Sequence, residues 1–309
     1  MNSVLITGAS GFIGTIVTEK LIKKGYKVYA LSRHPPAATK NLVPLAGDVT
    51  EPDLGLTFFV PKDIEAVYHL AGIHSLRPVD RKQLIWKTNV DGTHNVLEFC
   101  VRNDISRLFF TSTAYTWPVN PYGCSKIRNE EEISQFVQKH GLKVTIFKPS
   151  IVMGSEQHPY PGHFAQFIMG LIKMNKRGES VRRRVEGVLR LPILEPAFRI
   201  RGNAEGSLNL VPIDAVAQAI TEIEEEGTFW LTNPQPPKIG DLAEWVGEVI
   251  RMRLYIQRDF RANPIEAMFR RKASAFLPYL WGDSFISDLT ECQKIDKEFI
   301  QNTARALIA

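Results

Sequence analysis

Short apolar runs alternate along the first half of the chain with longer stretches in which apolar residues recur at helical spacing. Val4-Leu5-Ile6 is the first run, and Ile13, Val17, Leu21 and Ile22 follow it as one face of a helix. Lys27 to Leu31, Leu42 to Ala46, Ala66 to Leu70, Leu108 to Phe110 and Val144 to Phe147 read as five further strands. Trp86 to Cys100, and a segment starting near Pro121, read as helices between them. Strands alternating with helices wind a parallel sheet. The pattern predicts an α/β fold with a doubly wound, mostly parallel sheet.

The pattern changes after Gly154. Phe164 to Met174 reads as an apolar helix, Leu208 to Val211 and Thr228 to Thr232 as strands, and Asp214 to Ile223 as a helix that returns to the first domain. Pro234, Pro236 and Pro237 break the chain before an amphipathic helix over Ile239 to Ile250. Two domains are expected: 1–153 together with about 208–233, and a smaller one of 154–207 with 234–309. The stretch Arg251 to Phe285 is aromatic and basic, with Tyr255, Phe260, Phe269, Phe276, Tyr279 and Trp281. A small helical core and the wall of an apolar acyl pocket need the same residues, and both readings stand.

With 309 residues, 44% of them hydrophobic and 23% charged, the composition is that of a soluble globular protein. No apolar run approaches the roughly 18–20 residues of a membrane span. The first residues already form a strand, so no secretory leader is read there. Cys100, Cys124 and Cys292 lie far apart without a CxxC pair. That excludes a disulfide framework or zinc site from the expectations and fits a reducing cytoplasm. The net charge of +5 suits an anionic ligand. Lys176, Arg177, Arg182, Arg183, Arg184, Arg190, Arg199 and Arg201 face only Glu179, Glu186 and Glu195 in the same stretch. They form either a solvated face or a docking patch for the phosphates of CoA or for an acidic carrier protein. The run lacks interleaved aromatics, so no nucleic-acid partner is expected.

Candidate chemistry begins between the first strand and the first helix. Gly8, Gly11 and Gly14 have the spacing GxxGxxG, with Ser10, Phe12 and Ile13 in the same turn. Glycine allows the tight turn and close approach, and a helix N-terminus offers free N–H groups and a positive dipole end. Such a turn places a dinucleotide pyrophosphate. The second strand runs into Ser32-Arg33, and no acid occurs between Gly25 and Gly47. A carboxylate there would accept from a ribose 2′-OH, whereas Arg accommodates a 2′-phosphate. NADP(H) is the expected cofactor. Asp48, with Val49 beside it, is placed for the adenine. Leu70, Ala71 and Gly72 give a flat ligand room at the end of the fourth strand. Asn89, unfavourable in mid-helix, is expected to face inward, and Thr111 ends the fifth strand.

Thr113 follows directly, and Tyr122 and Lys126 lie at i, i+4 on one helix face. A Tyr hydroxyl can protonate a developing alkoxide, a nearby ammonium lowers the Tyr pKa, and a Thr hydroxyl can hold the carbonyl oxygen. Together with TGASGFIG, GDV, HLAG, TNVDGT, YGCSK and KPSIVMG, these residues resemble an extended short-chain dehydrogenase/reductase. NLVPID, FWLTN and the tail FLPYLWGD are similar to the branch holding thioester-reductase and fatty acyl-CoA reductase domains. The resemblance implies a Rossmann domain capped by a C-terminal substrate-binding domain. It implies Tyr122 as general acid, Lys126 on the nicotinamide ribose, Thr113 on the substrate oxygen, and Pro149 and Ile151 beside the nicotinamide. A homodimer through the helices after the fourth and fifth strands is a further implication.

One departure is the short connection from Thr113 to Tyr122, which leaves either a more open mouth or the hydroxyl role to Ser112. Cys124, on another side of the helix, is read as packing. The expected reaction is NADPH-dependent reduction of a carbonyl on a small-molecule substrate, free or bound to CoA or a carrier protein. A nucleotide-sugar epimerase or dehydratase and a non-catalytic NADP-binding sensor are the alternatives.

Overall fold

The computed structural model describes residues 2–56, 61–76, 79–155, 157–159, 162, 164–176, 197–290 and 292–308. The chain divides into two compact units. The first comprises Met1–Ser150, Ile213–Thr232 and Ser287–Thr290; the second comprises Ile151–Pro212, Asn233–Ile286 and Glu291–Ala309.

The first unit is built on seven parallel strands: β1 (Ser3–Thr7), β2 (Lys27–Ser32), β3 (Leu42–Ala46), β4 (Ala66–His69), β5 (Arg107–Thr111), β6 (Lys143–Pro149) and, late in the chain, β10 (Gly227–Leu231). Their order across the sheet is β10-β6-β5-β4-β1-β2-β3. Val4 lies beside Val28 on one side and Ala66 on the other, so the direction of winding reverses at β1. In sheets of this kind ligands bind outside the strands' carboxyl ends at that reversal. Because helices cover both faces, β1 is buried throughout. Leu5, Val67, Leu97, Phe99, Leu108 and Phe110 form part of one core. Fully burying each such side chain contributes about 1.5–3 kcal/mol.

Helix ends follow from local chemistry. Pro121–His140 starts on Asn120, whose side chain accepts from the Gly123 N–H at 2.8 Å, with Pro121 at the first helical position. It ends on Gly141 at φ +67°, the left-handed conformation that glycine adopts without cost. The helix read from Trp86 begins earlier and is continuous through Leu84–Trp86, Lys87–Asp91 and Gly92–Arg102. Its segment Lys87–Asp91 is a π-turn, which the periodicity does not show.

In the second unit β7 (Ile151–Met153) pairs with β9 (Leu210–Pro212), and β8 (Ala197–Arg201) with β11 (Arg253–Gln257), both in parallel. Helices cover 164–176, Ile239–Ile250, Pro264–Lys272 and Lys297–Ala306. Phe167 stacks on Phe276 at 4.8 Å, and Phe269 meets Phe167 and Phe198 edge-on at 5.5 and 5.3 Å. A cavity of about 30 Å³ among Phe164, Ile168, Leu242 and Leu280 is packing space on the scale of one water molecule. These aromatics therefore form a core. Arg199 is not a free cation for docking: its Nε and Nη2 each donate to Glu266 at 2.9 Å, a fork-to-fork pair. Arg201 lies 3.6 Å from Asp259. Arg177, Arg182, Arg183, Arg184 and Arg190 lie outside the described residues.

Candidate cofactor and catalytic site

The first helix, Phe12–Lys23, is capped by Gly11 in extended conformation, with no side chain bonded to its end and no acid in its first turn. The Gly11 N–H donates to the Gly8 carbonyl at 2.9 Å, and the Gly11 carbonyl accepts from the Thr15 N–H at 2.9 Å. Gly8 has φ +73°, and a Cβ there would lie 2.7 Å from the Ala71 backbone. A Cβ on Gly14 would lie 2.1 Å from the Gly8 carbonyl oxygen. Only glycine permits this turn. Ser10 and Gly11 are exposed and Phe12 and Ile13 half-buried. The result is an uncapped helix N-terminus beside bare backbone, which fits a dinucleotide pyrophosphate.

At the end of β2 the Ser32 hydroxyl is buried with no hydrogen-bond partner among the described residues. Arg33 beside it is exposed. The Ser32 carbonyl accepts from the Gly47 N–H at 3.2 Å, which ties the ends of β2 and β3 together. Asp48 holds its own turn, its Oδ1 accepting from the Thr50 N–H at 2.9 Å. Val49 is buried, and its carbonyl accepts from Asn95 Nδ2 at 2.8 Å.

After β4, Leu70 and Ala71 are half-buried and Gly72 exposed. Asn89 does face inward. Its Oδ1 accepts from the Ile73 N–H at 2.7 Å, and its Nδ2 donates to the Ile73 carbonyl at 3.1 Å and to Ser125 Oγ at 3.0 Å. One amide thus fastens the loop after β4 to the helix carrying Tyr122. A Cβ on Gly72 would lie 3.3 Å from Asn89 Oδ1 and 3.8 Å from Lys126 Nζ.

Lys126 is buried and donates from Nζ to the Thr111 carbonyl at 2.7 Å. Nζ also lies 4.8 Å from the Phe110 ring centroid and 5.9 Å from that of Tyr122. Burial pushes its pKa down to about 8, against the opposing charge of Glu130. Thr111 Oγ1 is buried with no partner among the described residues. Thr113 Oγ1 accepts from the Tyr115 N–H at 3.2 Å. Ser112 is committed elsewhere: its hydroxyl donates to Glu130 Oε1. The short connection is tight, since a Cβ on Gly123 would lie 2.1 Å from the Trp117 carbonyl oxygen. Cys124 is half-buried.

Ala114 N–H donates to the Pro149 carbonyl at 2.8 Å, joining the ends of β5 and β6. Ile151 opens the second unit, opposite Leu210. The glycine turn, Ser32 and Arg33, Asp48 and Val49, Leu70 to Gly72, Thr111, Thr113 and Pro149 lie at or just beyond the carboxyl ends of β1 to β6, and Asn89 and Lys126 bond to the chain there. His74 was not anticipated. Its ring packs on Tyr122 with centroids 4.6 Å apart, a contact between loop and helix that leaves no local sequence signal.

Residues 4–188 match the family described as the NAD dependent epimerase/dehydratase family. The chain belongs to that family. Among family relatives, a putative UDP-glucose 4-epimerase of Methanocaldococcus jannaschii is 31% identical over 179 residues, 50% of this chain and 58% of the relative. The UDP-glucose 4-epimerase of Halalkalibacterium halodurans is 29% identical over 161 residues, 46% and 48% of the two chains. A putative anthocyanidin reductase of Ginkgo biloba is 25% identical over 211 residues, 55% and 61%. The chain thus spans about half the length of the curated relatives it matches.

Among solved structures, the terminal R domain of the myxalamid PKS-NRPS biosynthetic pathway superposes with a TM-score of 0.73 at 19% identity, over 100% of this chain and 90% of that one. UDP-glucose 4-epimerase of Thermotoga maritima superposes at 0.66 and 19%, over 98% and 97%. These likenesses establish the expected Rossmann-like α/β fold for this epimerase/dehydratase-family chain. No helix among the described residues is long and apolar enough to cross a membrane.

Proposed function

We propose that this family member binds NADP(H) and reduces a carbonyl group (ketone, aldehyde or acyl thioester) on a lipid-like or secondary-metabolite substrate. The observation that carries the reading is the end of β2, where the unpartnered, buried Ser32 hydroxyl lies beside exposed Arg33 and no acid follows before Gly47. A guanidinium fork and a hydroxyl suit a 2′-phosphate; a carboxylate at that place would suit a free 2′-OH. The amides at the start of the first helix hold the pyrophosphate, Asp48 and Val49 border the adenine, and Leu70, Ala71, Gly72, Asn89 and Pro149 border the rest. When bound, the cofactor supplies the hydride.

The protein's own part is proton transfer and charge. Tyr122 gives its hydroxyl proton to the carbonyl oxygen as that oxygen gains charge. Lys126, 5.9 Å from the Tyr122 ring centroid, favours the tyrosinate left behind. Thr113, which accepts from Tyr115, keeps its own O–H to donate to the substrate oxygen. Ser112 is excluded from that role by its bond to Glu130.

A second reading, nucleotide-sugar epimerisation, is favoured by the names of the curated relatives. There Tyr122 would act first as base and then as acid. The two readings separate when purified protein is incubated with each of NADPH, NADH, NADP+ and NAD+ and a panel of acyl-CoA, aldehyde, ketone and UDP-sugar substrates, since epimerisation begins by passing a hydride to the oxidised cofactor. Reduction consumes NADPH in step with product mass; epimerisation isomerises a UDP-sugar with no net consumption. Arg33→Asp should weaken NADPH about tenfold or more, a loss of about 1.4 kcal/mol, and leave NADH nearly unchanged. Equal weakening of both cofactors would reject the 2′-phosphate assignment.

A further inference from the structure

Glu130 continues the stripe of Tyr122 and Lys126 by one more helical turn, since residues four apart on a helix are neighbours. Its carboxylate is held from two strands. Oε1 accepts from the Ser112 hydroxyl just beyond β5, and Oε2 accepts from Lys148 Nζ of β6 at 2.9 Å. Lys148 is itself buried and lies 4.9 Å from the Trp230 ring centroid. Lys148 thus pairs with the carboxylate that stands one helical turn from buried Lys126.

The other groups around Lys126 carry no negative charge. On its own helix lies the Tyr122 ring; from β5 come the Thr111 carbonyl and the Phe110 face. The loop after β4 brings Gly72 and the Asn89 amide, and β4 itself brings buried His69, whose pKa burial pushes down to about 3, so it is neutral. Among the described residues Glu130 is the carboxylate that acts on Lys126.

We propose that Glu130 is a positioning residue that sets the protonation state of Lys126, with Ser112 and Lys148 fixing its carboxylate and Lys148 competing for its charge. A buried ammonium is unfavourable without an opposite charge, and a second cation on the same carboxylate weakens that support. The same bonds occupy the Ser112 hydroxyl and so leave the substrate oxygen to Thr113. The catalytic consequence rests on the reading of Tyr122 and Lys126 as the reacting pair; the electrostatic claim does not.

Melting temperature of the cofactor-free protein is measured from pH 6 to 10.5, for each variant with and without Lys126→Met. The difference between the two curves reports the titration of Lys126. Glu130→Gln, which keeps the size but only one of the two acceptor oxygens, should move that titration down by about one pH unit or more, and Lys148→Met should move it up. The alkaline limb of kcat should shift in the same two directions. No shift, or a shift of both variants in one direction, overturns the proposal, because a merely structural role would lower melting at every pH alike. If Glu130→Gln does not fold, Lys148→Met decides alone: an upward move supports the proposal, and no move or a downward one overturns it. Absence of turnover with every carbonyl counts against the reductase reading only, since the melting difference needs no substrate.

Discussion

Tyr122 has the His74 ring against one side and Lys126 one turn further along its helix. Its hydroxyl is the atom the proposed reaction cannot replace. Tyr122→Phe removes that oxygen and leaves the aromatic packing, so turnover should fall by at least about 10²-fold. NADPH affinity, followed by fluorescence titration, should stay near normal; substantial residual turnover would reject the proton-donor role. This pair was legible in the sequence because i, i+4 spacing is a local property of a helix. The commitment of the Ser112 hydroxyl was not, because its partner, Glu130, stands 18 positions away and meets it only through tertiary packing. The lack of an acid near Arg33 is a sequence fact of a different kind: no carboxylate occurs from Gly25 to Gly47.

At the scale of elements, the strands of the sheet were readable because strands buried on both faces carry apolar runs. The helix Ile239–Ile250 was readable because its one buried face repeats at helical spacing. β8 and β11 escaped, although Phe198 and Ile200, and Leu254 and Ile256, alternate with polar or exposed neighbours at the period of two that marks a half-buried strand. Arg199 and Arg201 put one of them in a basic run, and Arg251, Arg253 and Arg258 surround the other, so charge masks the alternation. The π-turn Lys87–Asp91 had only Asn89 as a trace, a residue poorly suited to helices whose side chain is spent on Ile73 and Ser125. The connection between β5 and the Tyr122 helix makes a sharper test. Gly123 lies so close to the Trp117 carbonyl that any Cβ would lie 2.1 Å from its oxygen. Gly123→Ala should therefore force the loop or the helix start to shift and cost about 1–3 kcal/mol, read as a lower denaturation midpoint at unchanged m-value. Unaltered stability would show that the short connection has slack.

For the molecule as a whole, His69 lies at the centre of the first unit and links three elements. Thr93 donates its hydroxyl proton to the Asn89 carbonyl at 2.5 Å, so at 3.0 Å it must accept from His69 Nε2–H. His69 Nδ1 then accepts from the Thr7 hydroxyl of β1 at 2.7 Å. The imidazole is neutral with both nitrogens used, and a further proton would have to displace Thr7. Burial, with a smaller push from Lys126, lowers its pKa from 6.5 to about 3. Between those values the unfolded chain binds the proton and the folded one does not, so stability rises with pH across that window and is lost as pH falls through it. Carboxylates act later in the acid. Asp63, held down to about 2 first by its bond from Tyr29, loses its contribution only below the ordinary carboxylate value of 3.8. Acid destabilisation should therefore begin near pH 6, well above the carboxylate range, and amount to a few kcal/mol by pH 4. His69→Gln should lower the overall melting temperature yet flatten its slope between pH 6.5 and 4. Thermal melting at half-unit pH steps measures that slope, and an equal slope in both proteins would mean that His69 does not stay neutral in the fold.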